Sequence, residues 1–167
     1  MNASDVLHYG HDFVLRNLAD LPQEHWDTEN VCGWWSTKNI LAHLASFEYV
    51  LNEVTRSYIG GGPTPYLEQF IADHGKFNDF QVDIRKNKTP QETFDEYQAR
   101  HALNMEHLAQ IPVETRRRAG TLPWYGNEYD LEDFIVYQYY GHKREHMSQV
   151  NVFKDALKHS GVLPAGE

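Results

Sequence analysis

The sequence contains little cysteine and no long apolar run. Its single cysteine, Cys32, has no partner in the chain for a disulfide, which favours a reducing compartment. No stretch approaches the roughly 20 apolar residues that a membrane-spanning helix needs. The N-terminal residues carry neither the basic start nor the apolar core of a signal peptide. We therefore expect a soluble, cytoplasmic protein with no membrane partner.

Positive charge is also scarce. The 15 Lys and Arg residues are outnumbered by 24 Asp and Glu residues, and the formal net charge is −9. The one basic run is Arg116, Arg117 and Arg118. Nucleic-acid binding needs many clustered cations, so we expect no nucleic-acid partner. The sequence also lacks a Gly-rich phosphate loop, a G-x-S-x-G elbow and an H-E-x-x-H run, each of which marks a known class of active site.

Long segments with helical periodicity make up most of what is present. The length of 167 residues suits one domain, and we predict a single domain over residues 1–167. Apolar residues recur every three or four positions at about 4–20, 36–58, 90–110 and 130–159, and less regularly at 65–86. No alternating strand pattern lies between these segments. The fold class predicted from the pattern is all-α.

The last segment contains His142 and His146, which are one helical turn apart. Their side chains therefore share a face and can bind one metal ion. That face is apolar at its ends and polar in its middle, and it comprises Leu131, Ile135, Gln138, His142, His146, Gln149, Phe153 and Leu157. Buried polar groups need partners, which a metal, a ligand or water can supply. A helix rotated by a position or two would instead expose both imidazoles and turn Phe134, Tyr137 and Tyr140 inward.

The second and third long segments each carry a histidine on an apolar face. His43 lies between Ile40 and Phe47, and Glu48 lies at the edge of the same face. A lone histidine of this kind is more often a core residue than a metal ligand. Adjacent helices of a bundle would nevertheless bring His43 within reach of the histidine pair. For His101, in segment 90–110, we expect a structural role.

Two stretches resemble a known family. The residues WSTKNILAHLASFE, from Trp35 to Glu48, resemble the second-helix signature of the DinB-like superfamily of metal-binding four-helix bundles, which includes YfiT-like proteins. The residues YGHKREH, from Tyr140 to His146, resemble its last-helix motif. The similarity extends to Phe77 and the helix that follows, so it covers nearly the whole chain.

The resemblance implies an antiparallel four-helix bundle in which segment 65–86 is an additional helical segment between the second and third bundle helices. It also implies one divalent transition metal, often zinc or nickel, held by one histidine of the second helix and two of the last. Those positions are His43, His142 and His146. The family includes transferases and isomerases that act with low-molecular-weight thiols, and related colibactin-resistance hydrolases, so the resemblance does not choose a reaction.

Three functional hypotheses follow. The first is an enzyme with a small-molecule substrate, whose metal activates water or a thiol; Glu48 and Gln149 are then candidates for acid–base or ligand-orienting roles. The second is a binding or sequestering protein that holds a small molecule without turnover. The third is a structural bundle in which the metal only links two helices. The sequence leaves open the oligomeric state, a homodimer included, and any contribution of His101, Cys32 or Trp124 to the site.

Overall fold

The computed structural model describes residues 2–164, and the regular secondary structure of this part of the chain is helical. Its helices are α1 (Ala3–Leu18), α2 (Thr37–Ser57), α3 (Pro65–Ala72), α4 (His74–Asp83), α5 (Pro90–Gln110), α6 (Val113–Arg116), α7 (Leu131–Ile135) and α8 (His142–His159), with a 3₁₀ turn at Gln23–His25 and a π-helical segment at Val136–Gly141 that joins α7 to α8. Within the described residues the only extended pairing is an isolated bridge between Cys32 and Trp35. The predicted all-α class is confirmed, and α3 and α4 form the additional helical segment expected between α2 and α5.

None of the helices in the described part of the chain has both the length and the apolar character needed to cross a membrane.

Local signals fix the starts of the long helices. The Ser36 side chain accepts a hydrogen bond from the Asn39 amide and so caps α2. Thr89 and Glu92 form a reciprocal capping box at the start of α5. The Asp130 side chain caps α7 in the same way. Each cap satisfies amides that have no partner within their own helix.

Helix α2 is the central element. It packs along α5 and also against α3 and α4, while α1 packs along α8 and the π segment. Two apolar clusters fill the interior on either side of the middle of α2. One includes Phe47, Leu51, Phe70, Phe77, Phe134 and Tyr139, and the other includes Leu41, Leu44, Tyr97, Met147 and Val150. The polar residues His43 and Glu48 therefore lie near the border between two apolar regions.

The π segment changes the register of the C-terminal helix, which runs over 131–159. A π-helix makes i→i+5 hydrogen bonds, so it inserts an extra residue and rotates the face that follows. The residues buried along this helix are Leu131, Phe134, Ile135, Tyr139, Lys143, His146, Met147, Val150 and Lys154. The face predicted from the sequence lies beside this one, because Gln138, His142, Gln149, Phe153 and Leu157 are only half-buried. The rotated alternative is also wrong in part, since Tyr137 is 62% exposed.

Candidate metal centre

Three histidines from two helices converge on one point. His43 lies in the middle of α2, His142 is the first residue of α8 after the π segment, and His146 follows one turn later. The Nε2 atom of His142 is 2.8 Å from Nε2 of His43 and 3.0 Å from Nε2 of His146. His43 and His146 are buried, whereas His142 is half-buried. The structure therefore brings together the three histidines named from the sequence, as a cluster with one accessible side.

Aromatic rings pack against this cluster. The ring of Trp35 lies 4.9 Å from that of His43, and the ring of Phe47 lies 4.5 Å from that of His142. Burial lowers the pKa of all three imidazoles: that of His43 to well below its usual value, that of His142 to about 3, and that of His146 in the same direction. The rings are therefore neutral at physiological pH, which is the state that binds a metal ion.

The neighbours of Nδ1 indicate which ring nitrogen is protonated in His146 and in His142. Nδ1 of His146 lies 2.9 Å from Oε1 of Gln149, an acceptor, so Nδ1 donates the hydrogen bond. Although burial outweighs its effect, the backbone of Gln138 raises the pKa of His142, as a carbonyl that accepts the ring N–H would. Because Nε2 of His142 faces the other histidines, the donor to that carbonyl is Nδ1. Both rings then have unprotonated Nε2 atoms.

With these tautomers, two lone pairs would face each other across the 3.0 Å between Nε2 of His142 and Nε2 of His146. This arrangement is repulsive unless a cation lies between the nitrogens. A proton is a poor solution, since burial lowers the pKa of both rings. A metal ion fits the donor set, because neutral imidazole nitrogens with their outer N–H groups hydrogen-bonded are the usual form of histidine ligands.

The distances test that fit. A tetrahedral zinc site with zinc–nitrogen bonds of 2.0–2.1 Å separates its nitrogens by roughly 3.3 Å. The observed separations of 2.8 and 3.0 Å would open by only a few tenths of an ångström. Three imidazoles also leave one position of such a site for water or a substrate. Imidazole suits zinc, nickel, iron and copper alike, so the donor set does not identify the metal.

Glu48 belongs to a different cluster, which we call the Glu48 cluster: Glu48, Lys143, Asn104, His101 and His11. The Glu48 carboxylate is 2.6 Å from Nζ of Lys143 and accepts a 2.7 Å hydrogen bond from Asn104. Nδ1 of His101 is 3.8 Å from the same carboxylate, an electrostatic contact too long for a hydrogen bond. The prediction that Glu48 lies at the edge of its helix face is wrong: α2 is covered on both sides, and Glu48 is fully buried.

The charges around Glu48 determine its protonation. Burial alone would raise the pKa of this carboxyl. Lys143 and His101 lower it by a larger amount, so the pKa of Glu48 lies below its usual value. Glu48 is therefore ionised at neutral pH. In the part of the chain that the structure describes, its side-chain polar contacts are with this cluster and not with the three histidines.

His101 and His11 complete the Glu48 cluster. Their rings stack in parallel with centroids 3.9 Å apart, and burial together with the nearby His101 and Lys143 lowers the pKa of His11 to about 3. His101 thus lies outside the metal centre, in agreement with a structural role. The sequence did not reveal His11, Asn104 or Lys143 as members, because a lysine or asparagine in an amphipathic helix is ordinarily at the surface.

The other candidates lie around the metal centre or away from it. Gln149 contacts His146 directly, as described above. Cys32 is half-buried in the loop before α2, where it pairs with Trp35. Trp124 lies in the connection between α6 and α7 and packs against Phe70 and Phe134.

One comparison with known proteins identifies a family. The family model described as the DinB superfamily matches residues 11–150, which is most of the chain and includes all three histidines. Searches of curated proteins and of solved structures found no match. The family match agrees with the resemblance seen in the two helix motifs and with the all-helical fold. On this basis, the chain belongs to the DinB superfamily.

Proposed function

We propose that this protein is a metal-dependent enzyme, either a hydrolase or a transferase that uses a low-molecular-weight thiol. In this proposal the chain forms a single domain, an antiparallel four-helix bundle made of α1, α2, α5 and the C-terminal helix. His43, His142 and His146 bind one divalent transition metal, zinc or nickel. The observation that carries the proposal is the convergence of three imidazoles, with Nε2 of His142 2.8 Å from Nε2 of His43 and 3.0 Å from Nε2 of His146.

A metal bound by three imidazoles supplies a Lewis acid that lowers the pKa of a water or thiol in the remaining position, so that a nucleophile forms at neutral pH. The chain's own residues prepare the site for this chemistry. Gln149 holds His146 in the tautomer that ligates. Phe47 and Trp35 exclude bulk water from the histidines. The half-buried His142 leaves the side from which a small molecule can approach.

Glu48 has a positioning role in this proposal. Its carboxylate is ionised and held by Lys143, the residue next to His142. The ion pair links α2, which carries His43, to α8, which carries the other two histidines. Breaking it would let the two helices shift and move the imidazoles apart. Glu48 then acts on the metal site through helix placement and not through contact with the substrate.

The test begins with metal content. Protein purified without a metal-affinity tag should contain about one transition-metal ion per chain by mass spectrometry, and the His142→Ala variant should contain much less. The matched control is His107→Ala, because His107 is a half-buried histidine of α5 whose ring contacts Asn52 and Thr55. Equal metal content in all three proteins would refute the assignment of the ligands.

Activity separates the enzyme from its alternative. Metal-loaded protein is assayed with p-nitrophenyl acetate for hydrolysis, and with 1-chloro-2,4-dinitrobenzene and a panel of low-molecular-weight thiols for transfer. We expect turnover by the wild type and by His107→Ala, and none by His142→Ala. Stoichiometric metal without turnover of any of these compounds would instead favour a binding or sequestering protein with a structural metal.

A further inference from the structure

A preformed pocket lies one helical turn from the metal centre. It has a volume of about 310 Å³ and is lined by Phe70, Ile71, His74, Trp124, Tyr125 and Gln138. Small-molecule sites typically begin at about 300 Å³ and combine apolar walls with a few polar groups. Three elements meet here: the break between α3 and α4, the connection that precedes α7, and the π segment. We call it the aromatic pocket.

The aromatic pocket has no carboxylate, ammonium or guanidinium group among its lining residues. None of its six residues is an Asp, Glu, Lys or Arg, although the chain has a net charge of −9. Burial raises the pKa of the Tyr125 hydroxyl, so this group stays protonated at neutral pH. Trp124 and Phe70 present ring surfaces, while Gln138 and His74 offer hydrogen-bonding groups. These walls suit an uncharged, planar aromatic group that carries a hydrogen-bonding substituent.

The connection that carries Trp124 and Tyr125 is held in one shape. The Tyr125 amide donates a 2.8 Å hydrogen bond to the Leu122 carbonyl, and the Gly120 amide donates a 3.0 Å bond to the Tyr129 carbonyl. Gly126 has a φ of +143°, and a Cβ there would lie 2.7 Å from the Tyr129 ring. Only glycine fits this turn. The pocket is therefore built by the fold and needs no ligand to form it.

Two sets of neighbouring residues link the aromatic pocket to the metal centre. Gln138 precedes His142 by four residues on the same continuous helix, and both residues are half-buried. On the other side, the Phe70 ring packs at 5.4 Å against Phe47, whose ring lies 4.5 Å from that of His142. Because a helical turn spans roughly 5–6 Å, the pocket and His142 lie within the length of one small molecule.

From these observations we infer that the aromatic pocket binds the planar, uncharged aromatic part of the substrate and directs its reactive group toward His142. The inference rests on the proposed function and narrows its substrate class to aromatic electrophiles or esters of aromatic alcohols. Small aliphatic compounds would leave the pocket empty and react poorly.

The experiment uses N-phenyl-1-naphthylamine, an uncharged aromatic fluorophore, as the probe. We expect its fluorescence to rise on binding to wild-type protein, and Ile71→Trp to weaken that binding at least tenfold by filling the pocket. Ile71 is 42% exposed, so this substitution leaves the core intact. The matched control is Ile84→Trp, which adds the same ring at a residue that is 50% exposed on a neighbouring helix end and is expected to bind the probe as the wild type does.

A second measurement needs no variant. In protein loaded with paramagnetic Co²⁺, the proton resonances of the bound probe should shift or broaden relative to the Zn²⁺-loaded protein. Unchanged binding by Ile71→Trp, or probe resonances that are identical with both metals, would overturn the inference. Protein that holds no metal but binds the probe with the expected loss in Ile71→Trp would refute the proposed function and leave the pocket assignment standing.

Discussion

The two buried polar clusters of this protein satisfy their polar groups in opposite ways. In the Glu48 cluster the carboxylate lies 2.6 Å from the ammonium group of Lys143 and accepts a 2.7 Å hydrogen bond from the amide of Asn104, so groups of opposite charge and polarity face each other. In the three-histidine cluster, chemically identical groups face each other, and the Nε2 atoms of His142 and His146 lie 3.0 Å apart. In the first cluster the carboxylate and the ammonium group offset each other's charge. The second gathers three neutral imidazoles, and in our proposal a metal cation completes it.

This contrast separates structure from function within one helix. Lys143 and His142 are neighbours in sequence, yet one side chain closes an ion pair inside the core and the other points to a site with an open side. A buried polar group whose partners all come from the protein is explained by folding. A buried group whose nearest neighbours repel it requires an explanation from outside the fold. The following predictions test whether the two clusters really differ in this way.

The largest effect is expected from breaking the ion pair of the Glu48 cluster. Lys143→Met leaves the Glu48 carboxylate buried and without its counter-ion, which should reduce the free energy of unfolding by about 3–5 kcal/mol. The double variant Lys143→Met with Glu48→Leu removes both charges and should recover most of that loss. Urea denaturation of the wild type and both variants in the presence of a chelator measures the difference. A double variant as unstable as the single one would show that the pair is not a closed unit.

The sequence predicted the helices better than it predicted their faces. The capping residues Ser36, Thr89 and Asp130 and the apolar periodicity are local signals, so the helix positions could be read directly. The register of the C-terminal helix could not be predicted in this way. The π segment at Val136–Gly141 rotates the buried face, and the apolar pattern does not indicate it. Periodicity assumes a constant 3.6 residues per turn.

Much of the candidate site could also be predicted from local geometry. His142 and His146 are four residues apart in a regular helix, so their proximity needed only local geometry, while the link to His43 came from the family resemblance. The partner of Glu48 was not predictable. Lys143 reaches it across two helices that are far apart in sequence, and the sequence contains no signal that pairs one particular lysine with one particular carboxylate.

Acid should distinguish the clusters next. In metal-free protein the pKa of His142 is about 3, whereas an unfolded histidine titrates near 6.5. Between these values the unfolded chain binds a proton that the folded site does not, so stability falls as the pH drops through that window. His142→Leu removes this ring. The free energy of unfolding of the variant, relative to that of the wild type, should therefore be about 2 kcal/mol higher at pH 5 than at pH 7.

The measurement is urea denaturation with chelator at both pH values. The matched control is Val152→Leu, which changes an exposed residue of α8 and removes no titratable group, so its effect should be the same at the two pH values. A His142→Leu variant that keeps the full pH dependence of the wild type would mean that this imidazole is not held neutral by the fold.

The smallest effect concerns the side-chain hydrogen bond between Gln149 and His146. Gln149 accepts the Nδ1–H of His146 at 2.9 Å and so keeps the Nε2 lone pair toward the metal. Gln149→Leu should weaken metal binding about tenfold, or roughly 1.4 kcal/mol, because such outer partners fix the tautomer and ring orientation.

Gln149→Glu retains an acceptor and should bind at least as tightly as the wild type. Ser148→Ala, which removes an exposed hydroxyl bonded only within α8, should change nothing. Competition for Zn²⁺ against a chelator at neutral pH gives the affinities. If Gln149→Glu proves as weak as Gln149→Leu, then Gln149 only fills space, the tautomer of His146 is free, and the opposed lone pairs that distinguish this cluster from the Glu48 cluster no longer follow.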